Sequence, residues 1–134
     1  MTIAAVAAAA LFGVMAAFQA ALAFGAPFGA HVLGGRYPDR LPGRLRVFSG
    51  IAAVILVGAA LVVLAQGGII GWPEGLAGVL VPATWLIAGF MVLNTLGNLA
   101  SRSRTERTVL AATTAVLAVL SVIVALTGSG PNPG

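Results

Sequence analysis

The chain has 134 residues, of which 60% are hydrophobic and only 7% charged, with a mean hydropathy of +1.08. Soluble domains carry about 25% charged residues, and a chain this short hides only part of its surface on folding. The composition therefore excludes a soluble globular protein and points to an integral membrane protein forming one domain over residues 1–134. The formal net charge is +4, from seven basic residues that are all Arg. So few Arg, gathered in two short loops, do not make a nucleic-acid surface; a topology bias accounts for them. The chain has no Cys, which removes disulfides, thiolate chemistry and Cys-ligated metals.

Residues 2–26, TIAAVAAAALFGVMAAFQAALAFGA, carry no charge. At about 1.5 Å per residue they are long enough to cross the hydrocarbon core. Ala21-Leu22-Ala23 imitates a signal-peptide cleavage site, but no basic residue precedes the run and it exceeds a typical apolar leader segment, so the expectation is a retained first helix. Ala5, Ala9, Gly13, Ala17, Ala21, Gly25 and Gly29 lie four apart. That spacing gives a smooth stripe on which a neighbouring helix or a second copy can come close. Pro27 removes an amide donor and predicts that the helix kinks or ends there, with His31 to Leu33 as a continuation below a kink.

Residues 34–46, GGRYPDRLPGRLR, form the first loop, with Arg36, Arg40, Arg44 and Arg46 against Asp39. Tyr37 suits the headgroup layer, Pro42-Gly43 reads as a turn, and Leu41 and Leu45 are placed to dip back toward the interface. The second span is 47–70, with Gln66 near its far end. A very short link, 71–75, offers Trp72 as an interfacial anchor and Glu74 as its only charge. The third span is 76–100. Pro82 inside it predicts a kink, and Thr84 a hydroxyl for a carbonyl freed by that kink. Asn94 and Asn98, four apart, make its most polar face. Residues 101–107, SRSRTER, are a compact basic loop. The fourth span is 108–127, whose Thr113 and Thr114 can return hydrogen bonds to their own helix. Residues 128–134, GSGPNPG, read as an uncharged, disordered tail. The fold class expected is an all-α membrane protein: four transmembrane helices in an antiparallel bundle with short loops.

The first loop sums to +3, the second to −1 and the third to +2. Basic loops are retained in the cytoplasm. Loops 34–46 and 101–107 are therefore expected in the cytoplasm and both termini outside.

GAPFGAHVLGG running into LPGRLR, and NTLGNLASRSRTER before the last helix, resemble a broad group of small, four-helix, hydrophobic bacterial membrane proteins frequent in actinobacteria. The resemblance covers the two basic junctions and implies the architecture and a place in the plasma membrane of a bacterium; it brings no activity with it. Small multidrug-type exporters also have four spans, but their membrane-embedded Glu in the first helix has no counterpart in residues 2–26.

His31 is the only His and has no Cys to join it, so no metal site and no other cofactor is expected; the residue reads as an interfacial cap. Gln19 is the deepest polar side chain of the first helix. Its amide is costly in lipid unless paired, and Asn94 is its best partner by depth, with Asn98 nearer the loop. Arg36, Arg40, Arg44, Arg46, Arg102 and Arg104 are candidates for lipid headgroups. No phosphate-binding, dinucleotide, nucleophile-elbow or zinc-protease motif occurs. A lipid-active enzyme would have to use His31, Asp39 and Arg36. The expectation is a structural or accessory membrane component, non-enzymatic, with membrane lipids as partners, other membrane proteins beside it, and a homodimer through the first helix. The alternative is an oligomeric transporter or channel for small solutes or lipids.

Overall fold

The computed structural model describes residues 2–133; the last residue of the expected tail, Gly134, lies outside them. The fold is an all-α four-helix bundle: α1 is Thr2–Ala23, α2 Gly43–Gln66, α3 Leu80–Leu99 and α4 Ala111–Thr127. All four helices are long and apolar enough to cross a membrane once the turns leading into α3 and α4 are included. The protein is an integral membrane protein with four transmembrane helices. α1 packs on α2 and α4, and α3 on α4 and α2, so α1 and α3 stand across the diagonal.

The helix ends differ from those expected, and the reasons are local. α1 stops before Pro27. Gly25 adopts φ +93°, its amide donates to the Leu22 carbonyl at 3.1 Å, and the Ala26 amide donates to that of Ala21 at 3.0 Å. This glycine-terminated pair of bonds is the Schellman ending, which satisfies carbonyls that would otherwise be orphaned. Pro27 only follows it, and residues 29–31 and 33–35 are short tight turns in the loop rather than a continuation. α2 ends in the same way four residues earlier than expected: the Gly68 amide meets Ala65 at 3.1 Å and the Ile69 amide meets Leu64 at 2.9 Å.

α2 also begins four residues earlier than expected, directly after Pro42, so Arg44 and Arg46 belong to its first turn. α3 is preceded by a tighter helical stretch, Glu74–Val79. Pro82 is the third residue of α3, just past the point where the tighter turns give way to α-helix, and it has no amide hydrogen to donate. The change of geometry thus lies upstream of Pro82. The Thr84 hydroxyl donates to its own helix at Leu80, 2.7 Å away, and not to Gly78, whose carbonyl Pro82 cannot reach. The last helix begins before 108, with a wide π turn over Glu106–Leu110.

The tail is held against the end of α2. The Gly130 amide donates to the Gln66 carbonyl at 3.0 Å and the Asn132 amide to Ile70 at 3.0 Å, while the Gln66 side chain donates to the Gly128 carbonyl at 3.2 Å.

The core fills one half of the bundle. Ala4, Ala5, Ala8, Phe12 and Ala16 of α1 pack with Leu56, Ala59 and Val63 of α2, Met91 of α3, and Leu117, Ala118 and Val124 of α4. Lipid is as apolar as Leu, so small residues that let backbones approach drive such packing. The packed face is therefore 4, 5, 8, 12 and 16, rotated away from the four-residue stripe read in sequence. Ala5 of that stripe is buried, but Gly13 and Ala17 are exposed, and nothing lies within 4 Å of where a Gly13 Cβ would stand.

Candidate functional site: a polar cleft at the Arg-rich end

The opposite half of the bundle is where the two basic loops meet. The Glu106 carboxylate Oε1 accepts from the Gly34 amide at 2.7 Å and from the Ser101 hydroxyl at 2.6 Å. The Ser103 hydroxyl donates to the Ala30 carbonyl at 3.2 Å, and His31 Nδ1 pairs with the Thr105 hydroxyl at 2.6 Å. Leu22, Val32 and Leu41 bury a second apolar cluster beneath, with Leu45 against it. Leu41 and Leu45 thus fold back onto protein.

Beside this junction the helices part to leave a cleft of about 880 Å³. α1 contributes Met15, Phe18, Gln19 and Leu22; α2 contributes Leu45, Phe48 and Ser49; α3 contributes Asn94 and Asn98; the start of the last helix contributes Thr105, Glu106 and Thr113. Ligand clefts span about 300–1,000 Å³, largely apolar with a few convergent polar groups, and this one fits that description. A shallower hollow of about 430 Å³ shares Asn94, Asn98 and Glu106.

The structure brings Gln19, Asn94 and Asn98 to one cleft but forms no direct bond between Gln19 and Asn94. The Asn94 amide donates to its own helix at Phe90, 2.9 Å away. Asn98 lies 3.5 Å from the Thr114 hydroxyl, which also takes the Thr95 hydroxyl at 2.9 Å. Thr114 does more than return bonds to its own helix: it is the polar joint between α3 and α4. Thr113 and Thr114 donate to Val109 and Leu110 at 2.8 and 2.9 Å, adding partners to carbonyls at the trailing edge of the π turn, where a membrane leaves no water to do so.

The Arg candidates divide. Arg46 Nε donates to the Ala23 carbonyl at 3.0 Å, placing a cation at the negative end of α1; it is a cap. Arg107 is tied to the carbonyls of Ser101 and Arg102 at 3.1 and 2.8 Å. Arg36, Arg40, Arg44, Arg102 and Arg104 are exposed, and their guanidinium groups make no hydrogen bond or ion pair among the described residues. His31, Asp39 and Arg36 are not joined by any such bond either, and no group of three or more His, Cys, Asp or Glu among the described residues is arranged to hold a metal.

No family model, characterised protein or solved structure matches this chain. Its geometry alone carries the functional argument. Sequence reasoning found Gln19, Asn94 and Asn98 but missed Ser49, Thr105 and Glu106. Ser49 carries no local signal: it is one hydroxyl in an apolar span. Glu106 had one, a lone acid within SRSRTER, read only as a charge to be counted.

Proposed function

We propose that this protein is a non-catalytic, accessory component of a bacterial plasma membrane, fixed in orientation and held to anionic lipid by its Arg-rich end. One observation carries the reading: all seven Arg lie at the end of the bundle where the first and third loops are stitched together, and five of their guanidinium groups are exposed with no partner among the described residues. Anionic headgroups are the complementary partners at a cytoplasmic surface, each nearby Arg contributing about 1 kcal/mol. Positive loops stay on the cytoplasmic side, so both termini are outside in this reading. The exposed Gly13–Ala17 face supports contact with a second copy, because small residues permit close helix approach. Other membrane proteins could use the same face.

Reporter fusions test the orientation. A fusion after Gly134 reads as extracytoplasmic and one inserted in 34–42 as cytoplasmic; the reverse from both overturns it. Vesicle-reconstituted protein tests the lipid contact. Replacing Arg36, Arg40 and Arg44 together by Gln lowers phosphatidylglycerol enrichment around the protein if the guanidinium groups hold it, and leaves it unchanged if they only set topology.

The cleft favours a second reading, a handler of small or amphiphilic molecules built from several copies. One 134-residue bundle is too small to enclose a whole pathway.

A further inference from the structure

The cleft contains polar atoms that the fold leaves without partners. The Gln19 amide makes no hydrogen bond among the described residues, although it projects from a membrane-spanning helix. Ser49 is 7% exposed and its hydroxyl also lacks a partner. Such groups are costly in a bilayer unless something satisfies them.

The chemistry of what would satisfy them is legible. Asn94 and Asn98 each use one of their two amide hydrogens on protein, on the Phe90 carbonyl and the Thr114 hydroxyl, which leaves each a carbonyl oxygen as acceptor and one N–H as donor. Glu106 uses Oε1 twice and leaves Oε2 without a partner among the described residues. The lining therefore offers neutral amide and hydroxyl groups that both donate and accept, holds a carboxylate, and none of the seven Arg contributes to it. A phosphate headgroup, anionic beside that carboxylate and with no cation to meet it, is the wrong complement; an uncharged headgroup whose hydroxyls both donate and accept is the right one. Phe18, Leu22, Leu45 and Phe48 supply an apolar wall beside these groups.

We propose that this cleft is a lipid site for an uncharged, hydroxyl-bearing headgroup, an acylglycerol, with its acyl chain along the Phe18–Phe48 wall. The site is separate from the exposed Arg groups and does not depend on their lipid contacts.

The test uses the full chain in nanodiscs of dioleoylphosphatidylcholine doped equally with dioleoylglycerol and dioleoylphosphatidylglycerol, with retained lipid read by native mass spectrometry. The expected result is a dioleoylglycerol adduct that falls about fivefold in Gln19→Leu and again in Asn94→Leu, as for loss of one neutral hydrogen bond each. Gln19→Leu removes no protein hydrogen bond, so its thermal midpoint is expected to hold, which separates loss of ligand from loss of fold. Arg36→Gln with Arg44→Gln lowers only the phosphatidylglycerol signal, so failure of the Arg reading leaves this one standing. The proposal is overturned if no dioleoylglycerol is retained, if its retention is indifferent to both cleft variants, if phosphatidylglycerol is retained equally and responds to Gln19→Leu, or if Gln19→Leu dissolves a dimer, which would make a second copy the occupant.

Discussion

Gly29 holds the first loop closed because it has no side chain. Its amide donates to the Asp39 carbonyl at 2.8 Å, and a Cβ there would run into the backbone carbonyls of Tyr37 and Asp39. Gly29→Ala must open that loop, whereas Gly34→Ala meets open space and bears only the strain of φ +71°, about 1–2 kcal/mol. Thermal scans in detergent are expected to show a clearly larger loss for Gly29→Ala. Glu106 is the matching polar residue. Glu106→Gln keeps an oxygen for the Gly34 amide and the Ser101 hydroxyl, while Glu106→Leu leaves both without it, at about 1–3 kcal/mol for each buried group so orphaned and less where water reaches. Amide exchange at Gly34 measures the difference: near wild-type protection in Gln, fast exchange in Leu. Equal exchange in the two variants would show that the carboxylate does not tie the loops.

At the scale of the helices, what was legible was their number, type and order, and what was not was where they end. Arg44, Arg46, Arg104 and Arg107 read as loop because charge is excluded from the hydrocarbon core. A helix can run past the core, however, and long Arg side chains reach outward from its last turn. Pro27 drew attention as a breaker, yet Gly25 had already ended α1 by adopting a conformation only glycine takes easily. The cleft was the least legible feature. It is assembled from Gln19, Ser49, Asn94 and Thr105, on four different helices, and in a membrane protein lipid-facing and core-facing positions are both apolar, so periodicity does not separate them. Gln19, Asn94 and Asn98 were found because an amide in a span is conspicuous; the absence of a bond between Gln19 and Asn94 depends on helix rotation. Arg46 gives the test at this scale. Arg46→Met keeps the packing of the stem but removes the bond to Ala23 and the positive end charge on α1, and is expected to cost about 1 kcal/mol. Arg44→Met, exposed and without a protein partner, is expected to change the melting midpoint hardly at all. A loss from Arg44→Met as large as from Arg46→Met would refute the capping role.

Across the whole molecule, the bundle is closed by alanines at one end and open at the other. α1 is the helix that decides what lies beside it. Its inward face, Ala4, Ala5, Ala8, Phe12 and Ala16, is already used within the chain. Its Gly13–Ala17 face is not, and a Cβ added at Gly13 would meet no packing neighbour within 4 Å among the described residues. The two faces therefore make separable predictions. Ala8→Leu forces extra volume into a site with no exposure, where overpacking costs typically 1–3 kcal/mol, so the monomer should lose thermal stability and yield. Gly13→Leu replaces a poor helix former with a good one on an open surface, worth up to about 1 kcal/mol to the helix, so the monomer should fold at least as well. A dimer meeting at Gly13 would lose the close backbone approach on which small-residue contacts depend. Crosslinking in native-like lipid should then show the dimer falling in Gly13→Leu while the melting temperature of the monomer holds or rises. A dimer that survives Gly13→Leu and Ala17→Leu unchanged excludes this face, and the absence of any crosslinked dimer in the wild type excludes the homodimer itself.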